Sequence, residues 1–230
     1  MTEPGAPARP RRFPGARRRA PALAGALVAG LLAATPGRAH PHIFIDGGVD
    51  FLFDGTGDLA RLRVTWIYDP MTSLFMLEDL GLDPTQPLQP ADRARLAAYQ
   101  TEWQPGFDGD SYLHDGARRV GLSGSLEPEA GIRDGQVVIV FLRDLDAPYR
   151  PGPDTRVDVY DPTYYTAYRV TDAPRLEGAP DGCRARVENF EPTRALAPLQ
   201  QSLLALSAEE TPADADVGAL FAEKVHLACE

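Results

Sequence analysis

Residues 42–68 read HIFIDGGVDFLFDGTGDLARLRVTWIY, and the fold class rests on this stretch. Across 42–53 and again across 59–68, apolar and polar side chains alternate, the period of strands that bury one face. Asp54-Gly55-Thr56-Gly57 between them has turn chemistry. The pattern predicts a hairpin. Its first arm is a strand pair or a single strand bulged at Gly47-Gly48. In its second arm Leu59, Arg61 and Arg63 alternate with Leu62, Val64 and Trp66.

Downstream of the hairpin the period changes. Residues 71–80 (MTSLFMLEDL) carry apolar groups at helical spacing, with Leu74, Leu77 and Leu80 on one side. Asp69 and Pro70 stand where an N-cap and a first-turn proline belong. A Pro-rich loop over 81–90 precedes a second helix over 91–103. Short strands come next, around Asp115-Gly116 in 107–125, then strands at 136–142, 155–160, 164–170 and 183–190. A helix over 195–207, a polar loop and a last short element over 217–228 complete the chain. Strands succeed one another without regular crossover helices, so the pairing should be mostly antiparallel. The fold class is mainly β with an α insertion: an antiparallel sandwich-like arrangement with two helices inserted over 70–104 and a C-terminal helix.

Composition agrees. The chain has 230 residues, 43% of them hydrophobic, enough to bury a core. Its 22 prolines and 21 glycines suit many turns and short strands better than a helical bundle. The formal charge is −10, and seven of the 23 basic residues are arginines within the first 39 positions. The chain beyond position 39 is strongly acidic, which excludes a nucleic-acid binder of ordinary type and favours cationic partners.

Those first 39 residues read as an address. Arg9, Arg11, Arg12, Arg17, Arg18 and Arg19 form a basic region ahead of an uncharged run, APALAGALVAGLLAA, at 20–34. Fifteen residues fall short of the roughly 20 that span a bilayer. Gly37-Arg38-Ala39 places small residues at −3 and −1 of a cut after Ala39, so residues 1–39 are expected to be a cleaved secretory signal peptide. Residues 40–230 are then one periplasmic domain that begins His40-Pro41-His42. The two cysteines, Cys183 and Cys229, are expected to form a disulfide in that oxidising compartment, a thiol pair for soft metals being the alternative.

His40 and His42 are two of only four histidines. At strand spacing they share a face, with Cα atoms about 6.6 Å apart, close enough for both imidazoles to meet one ion. Neutral imidazole suits zinc, nickel, cobalt and copper. A new terminus at His40 would add its α-amine. Pro41 has no N–H, so a square-planar site built on deprotonated amides loses a ligand, and tetrahedral zinc gains by comparison. Asp46 lies on the His42 face, yet about 13 Å along a strand, too far to share the ion. Candidate carboxylates from elsewhere are Asp69, whose alternative role is N-cap, and Asp161, whose alternative role is turn former. His114 or His226 could also complete a shell. No nucleophile elbow, His-Glu-x-x-His, phosphate loop or Cys-x-x-Cys is present, so no catalytic role is expected.

The stretch His40-Pro41-His42-Ile43-Phe44-Ile45-Asp46 resembles the opening of a family of secreted bacterial proteins of unknown function, described as periplasmic components of ABC-type transport, which includes the zinc-binding ZevA proteins. Val64-Thr65-Trp66 with Tyr68-Asp69, Asp161-Pro162-Thr163-Tyr164-Tyr165, and Cys183 and Cys229 near Phe221-Ala222 extend the likeness over nearly the whole exported chain. The resemblance implies a metal-handling accessory protein working beside an inner-membrane permease of the nickel/cobalt-transporter type, with His40 and His42 as its opening histidines. Relatives often carry a loop like an EF-hand after the first helix. Here Gly81–Asp92 lacks the first carboxylate and the turn glycine and has Asp92 in place of the terminal Glu, which leaves too few donors for calcium. The function expected is periplasmic capture of a metal, foremost zinc, for transport. The alternatives are a metal-independent interaction sandwich and a copper enzyme using an N-terminal histidine.

Overall fold

In the computed structural model, residues 41–207 and 210–230 are described. Residues 1–39, expected to be a signal peptide, and His40 lie outside them. The described strands divide into two sheets. One contains β1 (Ile43–Phe53), β2 (Leu59–Tyr68), β5 (Leu126–Arg133), β6 (Gln136–Tyr149) and β8 (Thr166–Val170), in the order β5-β6-β2-β1-β8, with β9 (Leu176–Glu177) also on β1. The other contains β3 (Ser111–Asp115), β4 (Arg118–Arg119), β7 (Thr155–Val159), β10 (Arg184–Glu188) and β11 (Glu223–Ala228), in the order β10-β11-β7-β3-β4. Helices α1 (Pro70–Asp79) and α2 (Pro90–Thr101) are inserted between β2 and β3, and α3 (Ala197–Leu204) lies near the end. The mainly β sandwich with a helical insertion is therefore the fold.

The strand pairing differs in detail from the expected one. β1 is antiparallel to β2 but parallel to β8 and β9, because the chain returns from β7 in the other sheet before adding them. Gly47 and Gly48 do not bulge. They pair in register with Trp66 and Thr65, and the irregularity falls at Leu52/Phe53. Glycine is needed at 47 because a Cβ there would stand 1.9 Å from the Thr65 carbonyl oxygen. β5 and β9 add to the expected strands, and β6 runs past 142 to Tyr149.

The inner face of the larger sheet serves two layers. At one end Val49, Phe51, Leu59, Leu62 and Leu145 pack with Leu113, Val157, Val225 and Leu227 of the smaller sheet. At the other end Ile45, Val64, Trp66, Ile139 and Phe141 pack under Met76 and Leu77 of α1 and Leu96 of α2. Each such side chain contributes roughly 1.5–3 kcal/mol on burial. The apolar side of α1 differs from the one expected: Ser73, Met76 and Leu77 are buried, whereas Leu74 is 48% exposed. Ser73 sets that rotation. Its hydroxyl donates to the Tyr68 carbonyl (3.2 Å) and accepts from the Val137 N–H (2.9 Å).

Cys183 and Cys229 form a disulfide next to the Arg184/Ala228 pair of β10 and β11. Among the described residues no helix is long and apolar enough to cross a membrane.

Candidate functional site

The first described residues run straight into β1, and two loops fasten its start. The His42 and Ile43 N–H groups both donate to the Tyr165 carbonyl, at 2.8 and 3.3 Å. The His42 ring stacks on the Tyr165 ring with centroids 4.9 Å apart. Tyr165 is presented by a turn that Asp161 builds. One Asp161 oxygen accepts from the Thr163 N–H (2.8 Å) and hydroxyl (2.9 Å), and the other from the Thr166 N–H (2.8 Å).

Asp69 fastens the strand from the other side. Its Oδ1 accepts from the N–H groups of Met71 (2.9 Å) and Thr72 (3.0 Å), capping α1. Its Oδ2 accepts from the Thr72 hydroxyl (2.6 Å) and the Phe44 N–H (3.2 Å). Burial raises the Asp69 pKa, but the hydrogen bonds from Thr72, Phe44 and Met71 outweigh it and hold the carboxyl below its ordinary value. The two acids singled out with the histidines thus lie on either side of the segment that carries His42 into β1, and all four of their oxygens accept hydrogen bonds, one of them directly from β1 at the Phe44 N–H.

His42 and Tyr165 stand on one wall of an open groove of ≈ 550 Å³. Met71 and Phe75 of α1, each 61% exposed, line it as well. Asp79 at the end of α1 belongs to the same lining and accepts from the Tyr99 hydroxyl (2.8 Å) of α2. That bond, ahead of burial, raises the Tyr99 pKa. Nothing in the sequence sets Asp79 apart from the many other acids except its place on the helix: Thr72, Phe75 and Asp79 recur at the spacing of one face.

The other histidines lie elsewhere. His114 on β3 and His226 on β11 sit on the smaller sheet, both in register with Arg156 of β7. His114 approaches Asp158 at 3.6 Å and His226 approaches Glu188 at 3.1 Å. Burial first, then neighbouring arginines, lowers both pKa values against the pull of those acids. Asp46 is exposed, four residues along β1. Among the described residues no group of three or more His, Cys, Asp or Glu side chains is gathered to hold a metal ion. His40 falls outside that statement.

The chain belongs to the family described as "Protein of unknown function (DUF1007)", whose model matches residues 25–229. A comparison with curated proteins gave no match. Among solved structures, the acetylcholine-binding protein type 1 of Biomphalaria glabrata is similar at 10% identity, over 90% of this chain and 98% of that one, with a TM-score of 0.33. That likeness is too loose to carry an argument about fold or function.

Proposed function

We propose that this member of a family of unknown function is an exported metal-binding accessory protein, which captures zinc through the His40-Pro41-His42 terminus and passes it to an inner-membrane permease of the nickel/cobalt-transporter type. One observation carries the reading: His42 stands at the rim of an open groove that also holds the Asp79 carboxylate. Two imidazoles at strand spacing, the α-amine of a terminus at His40, and one carboxylate make a nitrogen- and oxygen-donor set suited to zinc, with nickel, cobalt and copper as competitors. Asp79 is the better carboxylate of the three: the Tyr99 hydroxyl engages one of its oxygens, whereas both oxygens of Asp69 and of Asp161 are spent on backbone and hydroxyl donors. The acidic surface supports the reading by concentrating cations near the protein.

The resemblance of the opening motif to zinc-binding secreted proteins supports the same reading. So do the exposed Met71 and Phe75, which give a membrane partner an apolar rim beside the ion. That rim also favours a second reading, in which the groove docks a partner without metal.

Native mass spectrometry of the exported protein tests the proposal. The expected species begins at His40 and retains one zinc ion. A mature terminus beyond His42, or a protein that holds no ion when zinc is supplied, contradicts it.

A further inference from the structure

Helix α1 is apolar on two sides. Met76 and Leu77 face the core, while Met71, Leu74 and Phe75 stand outside it. A helix with a second apolar side is normally covered there as well. Of the nine large apolar side chains that stand exposed among the described residues, four line the groove beside His42: Met71, Phe75, Tyr99 and Tyr165. A fifth, Leu74, extends the patch along α1, three residues on from Met71. Single exposed apolar side chains are ordinary, but a cluster of them around a hollow marks a place of contact.

The charge in that lining is of one sign. It holds the Asp79 carboxylate and no lysine or arginine. Asp79 Oδ2 accepts from the Tyr99 hydroxyl (2.8 Å), and among the described residues no cation pairs with Asp79 or with the neighbouring, exposed Glu78. Arg95, one turn before Tyr99 on α2, is turned instead to the Leu80 carbonyl (2.9 Å) and to Asp92 (3.5 Å). Gln100 adds a donor. Its Oε1 accepts from the Tyr68 hydroxyl (2.7 Å), while its amide nitrogen donates to no group among the described residues.

Such a lining selects its occupant. Aromatic rings and thioethers receive apolar groups, and ring faces beside a carboxylate attract a cation, above all a guanidinium, which also stacks on the rings. The amide donor suits a peptide carbonyl. An anionic partner would meet Asp79 and Glu78 and be repelled. A lipid surface fits less well, because the apolar side chains border a hollow and the strongly acidic chain beyond position 39 repels anionic headgroups.

We propose that this groove docks a segment of a partner protein that presents an arginine between apolar side chains, the guanidinium at Asp79 and the apolar neighbours on Met71 and Phe75. The proposal rests on the metal-free reading of the groove, whose partner it names, and it stands apart from zinc capture.

Calorimetry and peptide-observed NMR on residues 40–230 with the disulfide intact test it, in EDTA so that no metal takes part. The probes are acetyl-Leu-Phe-Arg-Leu-amide, the same peptide with norleucine or glutamate in place of arginine, and phosphatidylglycerol vesicles. The arginine peptide should bind, the norleucine peptide about tenfold more weakly and the glutamate peptide more weakly still. Phe75 is 61% exposed, so Phe75→Ser leaves the core intact. That variant should weaken the arginine and norleucine peptides alike, about tenfold. Asp79→Asn should bring the arginine peptide down to the level of the norleucine peptide and leave the latter unchanged. No binding of the arginine peptide at about 10 mM, far above the range of specific sites, overturns the proposal. So does equal binding of the arginine and norleucine peptides, binding that ignores both variants, or a protein that takes the vesicles through Phe75 in preference to the peptides.

Discussion

At the scale of residues, single carboxylates do opposite things here. Asp69 joins β1 to α1 by four hydrogen bonds, so Asp69→Ala should lower stability by about 1–2 kcal/mol, read from the denaturant midpoint. Its folded pKa is lowered, so its contribution is present above the ordinary carboxylate pKa and is lost as pH falls through the folded value. Asp110 has the reverse sign. It is 4% exposed, and burial pushes its pKa up to about 7 against the Tyr168 hydroxyl that donates to it at 2.6 Å, with Asp161 adding repulsion. Stability tied to Asp110 is fully present below its unfolded pKa and is lost as pH rises through about 7. Asp110→Asn should therefore gain stability at pH 8 more than at pH 5, in thermal unfolding at both pH values. Asparagine also tolerates the positive φ of 48° at this position. A variant no more stable at pH 8 than the parent would contradict this. The cap of Asp69 and the turn of Asp161 are legible in the sequence because their partners lie within five residues. Asp110 is not, because its surroundings come from segments far along the chain, Tyr168 among them.

At the scale of elements, the alternating pattern of 42–68 identifies the central hairpin, since both strands bury one face. β5 escapes such a reading because it lies at a sheet edge and is largely exposed, and its Glu127, Pro128 and Glu129 mask any period. Its signal is Asp134-Gly135, which turns with φ of 52° and 80° into β6. Gly135→Ala should cost about 1 kcal/mol or more at that left-handed position, measurable by urea unfolding. α1 stands where its helical spacing puts it but is rotated, because the polar Ser73, not Leu74, turns inward to serve two backbone groups. The Cys183–Cys229 link closes a separation of 46 residues and pins β10 to β11. Its removal by Cys183→Ser with Cys229→Ser should lower unfolding free energy by about 3–4 kcal/mol. Equal denaturant midpoints for parent and double variant would refute that contribution.

At the scale of the whole molecule, the helical insertion does two things. It covers one end of the inner sheet face, and with β1 it forms the groove at His42. The sandwich supplies the frame on which the proposed N-terminal ligand pair would be carried. The histidine pair is legible from sequence because its spacing is local. The groove is not, since it joins β1, α1, α2 and the turn before β8. The proposed zinc capture at a terminus beginning with His40 is decided by calorimetric titration of residues 40–230 with zinc. One site is predicted, lost in His40→Ala with His42→Ala and weakened about tenfold or more in Asp79→Asn. Zinc affinity unchanged in the double histidine variant, or no zinc uptake by the parent protein, would contradict it.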